Sequence, residues 1–260
     1  MTDDAVVEAY RERGFVNAGP LLTEDEVEVL RVELDRVIAD RDRTDIPQPV
    51  RIGNLSKIEG SPVWQIVNIW QASEPFKALL FRPELGALAR QMSGSETLRI
   101  WHDQIQYKPQ AVGGVNAWHQ DGPYWPNIQP KDEQHTAWIA LDDVDEGNGC
   151  MSMVPGSHRW GVAIESLHQI KDFHALPETY EGHALEAVTC PVKKGHVHFH
   201  HSLTWHGSRA NTSDRPRRAI AFHFMTPRTT YDASGSHIMK PQVTVPHGAM
   251  LCGSGFPELP

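Results

Sequence analysis

The chain has 260 residues and a formal net charge of −9. That length suits one well-filled domain, and a field of that sign repels phosphate backbones and anionic lipid surfaces, so neither nucleic acid nor a membrane is expected as a partner. The cysteines Cys150, Cys190 and Cys252 are odd in number, far apart and without a CxxC spacing, which excludes a disulfide framework and suits free thiols in a reducing compartment.

The N-terminal MTDDAVVEAYRERGF carries acids where a signal peptide needs bases, and no apolar run is long enough to cross a bilayer; a soluble cytoplasmic protein is expected. Residues 23–40 predict an amphipathic helix, opened by a Thr23/Glu26 capping box and carrying Val27, Leu30, Leu34, Val37 and Ile38 at helical spacing. The polar ADRDRTDIPQP at 39–49 reads as a loop, and residues 74–93 as a second helical stretch interrupted at Pro83. From about residue 97 short β-rich runs take over, LRIWHDQIQYK, TAWIALDD, GCMSMVPG, HVHFHH and RAIAFHFM, divided by Gly, Pro, Asn and Asp. That texture predicts an antiparallel sandwich or barrel. Residues 157–189 form a long aperiodic insertion, read as a lid or binding loop, and no repeat or linker divides the chain.

The histidines and tryptophans, 15 and 8 in number, concentrate between residues 60 and 225. Within AWHQDGPYWP, at 117–126, His119 and Asp121 share one face if the backbone is extended, because strand side chains alternate. An imidazole and a carboxylate on one face are part of a two-His, one-carboxylate triad, the set that holds non-heme Fe(II) with positions left open. The third ligand should come from a later strand, where His196, His198, His200, His201 and His206 are all available and composition alone does not choose.

The combination of HQD at 119–121, NGCMSMVPGSHRWG at 148–161 and HSLTWHGSRANTSDRPRR at 201–218, with RERGFVNAGPLLTEDEVEVLRVELD near the N-terminus, resembles the phytanoyl-CoA dioxygenase family of Fe(II)/2-oxoglutarate oxygenases over nearly the whole chain. The resemblance implies a mainly β fold with flanking helices, a double-stranded β-helix (jelly-roll, cupin-like) barrel. It implies one domain over 1–260, with a helical part to about 95, a barrel core to about 228, the 157–189 lid and a tail over 229–260. It implies iron ligands His119, Asp121 and His206, and a cosubstrate pocket of Arg217, Gln104 and Trp138 using 2-oxoglutarate and O2. The expected activity is hydroxylation of an unactivated C–H bond of a small metabolite or natural product, with succinate and CO2 as coproducts. Asp121 occupies the position that related halogenases vacate for halide, which favours hydroxylation; desaturation and ring closure stay open.

Strand parity supports Arg217 independently: it shares a face with Ala219, Ala221 and His223, small residues that leave room for a dicarboxylate, whereas Arg218 shares one with Ile220, Phe222 and Phe224. Arg209, Arg215 and Arg218 are read as a solvated patch, and His201 as a hydrogen-bonding support of the site. Tyr124, Trp125, Tyr107 and Trp160 are the candidate substrate contacts, Trp101 is assigned to the core, and Asn68, Trp70 and Gln71 to the pocket mouth. Two other readings remain: a cupin-like Zn or Mn isomerase or hydrolase that needs no oxygen, and a non-catalytic binding protein of the same fold. The primary substrate and the oligomeric state are not legible.

Overall fold

The computed structural model describes residues 3–56, 62–110 and 114–260. The N-terminal third contains helices α1 (Asp3–Arg13), α2 (Glu24–Ala39), α3 (Glu74–Leu80) and α4 (Pro83–Ser93), interleaved with strands β1 (Phe15–Pro20), β2 (Arg51–Asn54) and β3 (Trp64–Val67). The expected helical part to about residue 95 thus also holds three strands, all built into the main sheet. Their pairing partners lie in later strands, which local periodicity does not reveal.

Both expected helical stretches form. In α2, Thr23 Oγ1 accepts from the Glu26 amide and Glu26 Oε2 accepts from the Thr23 amide at 2.8 Å, so two otherwise unpaired amide donors are satisfied reciprocally. Its buried face is Val27, Leu30, Leu34 and Val37. The 74–93 stretch divides where Pro83 starts α4, since proline has no amide to continue the preceding helix.

The remaining strands are β4 (Arg99–Lys108), β5 (Asn116–His119), β6 (Ile128–Gln129), β7 (Gln134–Ala140), β8 (Met151–Met153), β9 (Thr179–Tyr180), β10 (His183–Ala184), β11 (Val188–Cys190), β12 (His196–His201), β13 (His206–Ser208), β14 (Arg217–Met225) and β15 (Thr230–Tyr231). Among the described residues the main sheet runs β1-β12-β7-β14-β4-β3-β2 and a second sheet runs β11-β8-β13-β5. The main sheet buries one face against the helices: Val197 and Phe199 of β12, Ala137 and Ile139 of β7, and Ile220, Phe222 and Phe224 of β14 pack in one cluster with Leu30, Leu34, Phe76, Leu80 and Leu85. Its other face puts Trp138, Ala140, Ala219 and Ala221 against Met151, Met153 and Cys190 of the second sheet. Period-two alternation in β14 thus separates a helix-packed face from the space between the sheets.

Arg218, on the helix-packed face, is not part of a solvated patch. Its guanidinium and amide bond Asp142, which also takes Arg31 of α2, and the pairing holds helix to sheet. Arg209 and Arg215 are half exposed and pair with Glu146 and Asp145.

Residues 157–189 are more ordered than an aperiodic insertion suggests. They include α5 (Ile164–Leu167) and the β9–β10 hairpin, and β11 begins within their span and joins the second sheet. Trp118, Phe173 and Trp205 anchor the insertion in a separate apolar cluster, with Trp118 Nε1 donating to the Phe173 carbonyl. No helix among the described residues is long and apolar enough to cross a membrane. The three cysteines are free thiols.

Asn68, Trp70 and Gln71 do not reach the main cavity. Asn68 is fully buried with φ of 57° and clamps β4: its Oδ1 accepts from the Asp103 amide, while the Asp103 carboxylate accepts from the amides of Ile69 and Trp70 at 2.9 and 3.1 Å. Trp70 and Gln71 face a separate surface groove. Asp103→Ala strands two buried donors and is expected to lower the unfolding free energy by about 2 kcal/mol, read from urea denaturation.

Candidate active site

His119 ends β5 and His206 begins β13, and these two residues are paired directly across the antiparallel ladder. Strand register alone brings their rings to a centroid separation of 4.1 Å. Asp121 arrives differently from the extended path expected of it. Its backbone is helical, φ −71° and ψ −49°, capping a short 3-10 turn over Gly122–Tyr124 that swings the carboxylate back toward the imidazoles. One ligand atom from each of His119, Asp121 and His206 lies within 4.8 Å of the others, the sole such grouping of metal-binding side chains among the described residues.

Hydrogen bonding determines which atoms face inward. His119 Nδ1 donates to the Ala117 carbonyl at 2.8 Å, and His206 Nδ1 donates to the Thr204 carbonyl at 2.9 Å. Carbonyls only accept, so both neutral rings present an Nε2 lone pair, each 3.6 Å from Asp121 Oδ1. Asp121 Oδ2 is meanwhile held by His200 Nε2 at 3.1 Å and by the Thr136 hydroxyl at 3.2 Å. Three electron-rich atoms converge with no proton among them. A divalent cation is the species that such a donor set fits, with His200 and Thr136 orienting the carboxylate from outside. The supporting imidazole is thus His200 and not His201, which points the other way, to the Asp132 carbonyl and the Leu203 amide.

Charge follows from the same contacts. Burial opposes ionisation of Asp121, while the hydrogen bond donated by His200 favours it, and the carboxyl is held well below its usual range. Burial, reinforced by neighbouring His206, pushes His119 down to about 4, and burial also lowers His206.

A cavity of about 570 Å³ opens from these ligands, lined by His102, Gln104, Gln106 and Lys108 of β4, by Tyr124 and Trp125, and by Arg217 and His223 of β14. Arg51, Trp64 and Gln65 of the β2–β3 hairpin and Ser236, His237 and Ile238 of the C-terminal segment complete its walls. None of residues 157–189 lines it; the insertion meets its wall through His168, bonded to the Tyr124 hydroxyl.

Behind the ligands a narrow recess runs between the sheets past Trp138, Met151, Ser208 and Ala221 to Arg217. Arg217 is 1% exposed and 5.7 Å from the Trp138 ring, reaching over the small side chains of Ala219 and Ala221. Nη1 donates to the Gly149 carbonyl at 2.6 Å, but Nε and Nη2 are buried with no partner. Two parallel unpaired donors on a buried cation suit a carboxylate. Burial lowers Arg217 only to about 10, so it remains charged at neutral pH.

The other expected residues divide. Trp138 sits beside Arg217 and donates Nε1 to Gln106 Oε1 at 3.3 Å. Gln106, absent from the sequence-based set, borders both cavity and recess, whereas Gln104 lines the cavity alone. Both share the inward parity of β4, which was the available signal for Gln106. Lys108 was also missed; it faces Arg217 across the strands, is buried, and bonds Ser208 Oγ and the Arg209 carbonyl.

Tyr124 is half exposed, 6.1 Å from His119 by ring centroids, and its hydroxyl meets His168 Nε2 at 2.9 Å. Trp125 is buried and lies 4.8 Å from His223. Tyr107 borders the cavity but alternates away from Gln106, with Arg218 5.9 Å from its ring. Trp160 is not brought to the cavity: it stacks on His183 and packs on Trp205 within the insertion. Trp101 is core, stacked on Phe256.

Because protons displace a metal only below the pKa of its ligand, and His119 is pushed down to about 4, metal affinity is expected to stay level from neutral pH to about 5 and to fall as pH approaches 4. Ordinary imidazole ligands would instead begin to lose metal near pH 6.5. Calorimetric titration of Zn(II) across this range distinguishes the two.

A family model described as phytanoyl-CoA dioxygenase (PhyH) matches residues 10–219. Peroxisomal phytanoyl-CoA dioxygenase of Mus musculus is 27% identical over 233 residues, covering 83% of this chain and 66% of that protein. Ectoine dioxygenase of Halomonas elongata is 28% identical over 234 residues, covering 84% of this chain and 68% of its own. Among solved structures, the non-heme alpha-ketoglutarate-dependent carbocyclase SnoK from nogalamycin biosynthesis superposes with a TM-score of 0.79 at 28% identity, covering 100% of this chain and 99% of its own. The chain therefore belongs to the phytanoyl-CoA dioxygenase family of Fe(II)- and 2-oxoglutarate-dependent dioxygenases.

Proposed function

We propose that the protein couples oxidation of 2-oxoglutarate to hydroxylation of an unactivated C–H bond in a small metabolite or natural product. The observation that carries this reading is the pairing of a proton-free His119/Asp121/His206 convergence with the two unpartnered donors of buried Arg217 in the adjoining recess. Here His119, Asp121 and His206 hold Fe(II), and Arg217 takes the distal carboxylate of 2-oxoglutarate by two charge-assisted hydrogen bonds. Bound together, metal and cosubstrate supply the activation of O2 and release succinate and CO2. The chain's own residues do the rest. Thr136 and His200 fix the carboxylate that the metal needs, Trp138 and Gln106 wall the cosubstrate, and Tyr124 and Trp125 border the substrate space.

Retention of a carboxylate at Asp121 supports hydroxylation over halogenation. A relative titled a carbocyclase keeps ring closure in view as the outcome on a natural product. We read the facing sheets as the two halves of a double-stranded β-helix barrel and residues 1–260 as one catalytic unit, with Phe15 of β1 and the tail residues Met239 and Phe256 packed into its clusters in support. The free thiols support a reducing, cytoplasmic setting.

The test is O2-dependent conversion of 2-oxoglutarate to succinate by anaerobically iron-loaded protein, with His119→Ala as the background. Arg217→Ala is expected to weaken 2-oxoglutarate binding by about 100-fold while leaving iron affinity within about twofold of wild type, read by the absorption of the chelated keto acid under nitrogen. Equal loss of both would remove Arg217 from the cosubstrate site.

A further inference from the structure

Two cavity side chains, His102 and His223, have no part in holding metal or cosubstrate. His200, Thr136, His223 and His102 are consecutive cross-strand neighbours on β12, β7, β14 and β4, so donors and acceptors can be followed outward from Asp121. A carboxylate only accepts, and Thr136 therefore commits its single hydroxyl proton to Asp121 Oδ2. Its oxygen is left to accept from His223 Nδ1, 2.8 Å away, which makes Nδ1 the protonated nitrogen of that ring. On His102 the result is the same, because Nδ1 lies 3.1 Å from the Asp103 carbonyl, which has no proton to give.

Both rings are buried, 2% and 4% exposed, and both line the cavity. A second proton on either is unfavourable: burial disfavours an imidazolium, Asp121 Oδ2 is already filled by His200 and Thr136, and the cavity carries Arg51 and Arg217 against Asp121 as its one carboxylate among the described residues. Each neutral ring therefore carries a bare Nε2. That of His102 is buried without any hydrogen-bond partner. The rings meet edge to face at 4.6 Å and so lie side by side on the cavity wall, flanked by the Trp125 indole at 5.8 Å from His102 and 4.8 Å from His223 and by His237, stacked on His102 at 5.5 Å.

We infer that His102 and His223 form a hydrogen-bond-accepting substrate subsite, which takes an uncharged hydroxyl group carried on an apolar skeleton and so positions the neighbouring carbon toward the metal. The cations lining the cavity disfavour an ammonium donor, and Trp125 supplies the apolar flank. This subsite deepens the dioxygenase reading and rests on it for the identity of the metal-side chemistry.

The test uses the full chain loaded with Zn(II) and 2-oxoglutarate and labelled with ¹⁵N-histidine, the two ring signals being assigned through His102→Phe and His223→Gln. Both rings are expected to carry their proton on Nδ1 and none on Nε2. Benzyl alcohol is expected to shift both ring signals and to bind about tenfold more tightly than benzyl methyl ether, with His102→Phe abolishing the difference. A proton on Nε2 of either ring, an alcohol that shifts neither signal, or equal binding of alcohol and ether overturns the proposal. The wild-type preference for the alcohol over the ether decides the matter even if a variant fails to fold. Neither measurement needs turnover, so an inactive enzyme would count against the dioxygenase reading without touching this subsite.

Discussion

Asp121 holds a carboxylate in a buried space whose two oxygens are used for different purposes. Oδ2 is saturated by His200 and Thr136, and Oδ1 is left facing two imidazole lone pairs. The arrangement concentrates negative potential at one point, a cost that a bound dication offsets. Its precision comes from three strand registers: β13 against β5 pairs His206 with His119, β12 against β7 pairs His200 with Thr136, and β7 against β14 pairs Thr136 with His223. A one-residue slip in any of them would turn those side chains to the opposite face of their sheet. Register is fixed in turn by the apolar residues between them, Val197, Ile139 and Ile220, which are directly paired and pack beneath the helices.

How far the sequence revealed this depended on whether a feature is local. Alternation in RRAIAFHFM is local, and it separated Arg217 with Ala219 and Ala221 from Arg218 with Ile220 and Phe222, as the two core clusters do. The capping box at Thr23 and the break at Pro83 are local as well. His119 and Asp121 were paired by an argument from strand parity, yet the carboxylate comes beside the imidazole through a helical turn, a route that alternation does not describe.

What was illegible is long-range. Nothing within HFHHS distinguishes His200 from His201; the choice is made by Thr136 and Asp121 on one side and Asp132 on the other. The insertion over 157–189 looked like the natural cover for the site, but its aromatic residues serve their own cluster around Trp205 and Phe173. The cavity wall comes instead from the β2–β3 hairpin and from residues 236–238, far apart in sequence and unremarkable in composition. Asn68 was assigned to the mouth, whereas its left-handed backbone and its clamp on Asp103 give it a structural task.

The distribution of polarity within the cavity orders the two ligands that such a site must hold at once. The buried Arg217 cation occupies the end of β14 where Ala219 and Ala221 leave width, beside the Lys108 amine of β4, which burial pushes down to about 6, and a dianion gains most by lying there. Toward the other end of the same strands the inward residues become imidazoles, His223 and His102, with indole beside them. A carboxylate directed to that end would meet lone pairs, and a neutral hydroxylated skeleton directed to the recess would leave the Arg217 donors unpaired. Each wrong placement costs an unsatisfied buried group, so discrimination between cosubstrate and substrate arises from where donors and acceptors sit along two adjacent strands, with no moving element required.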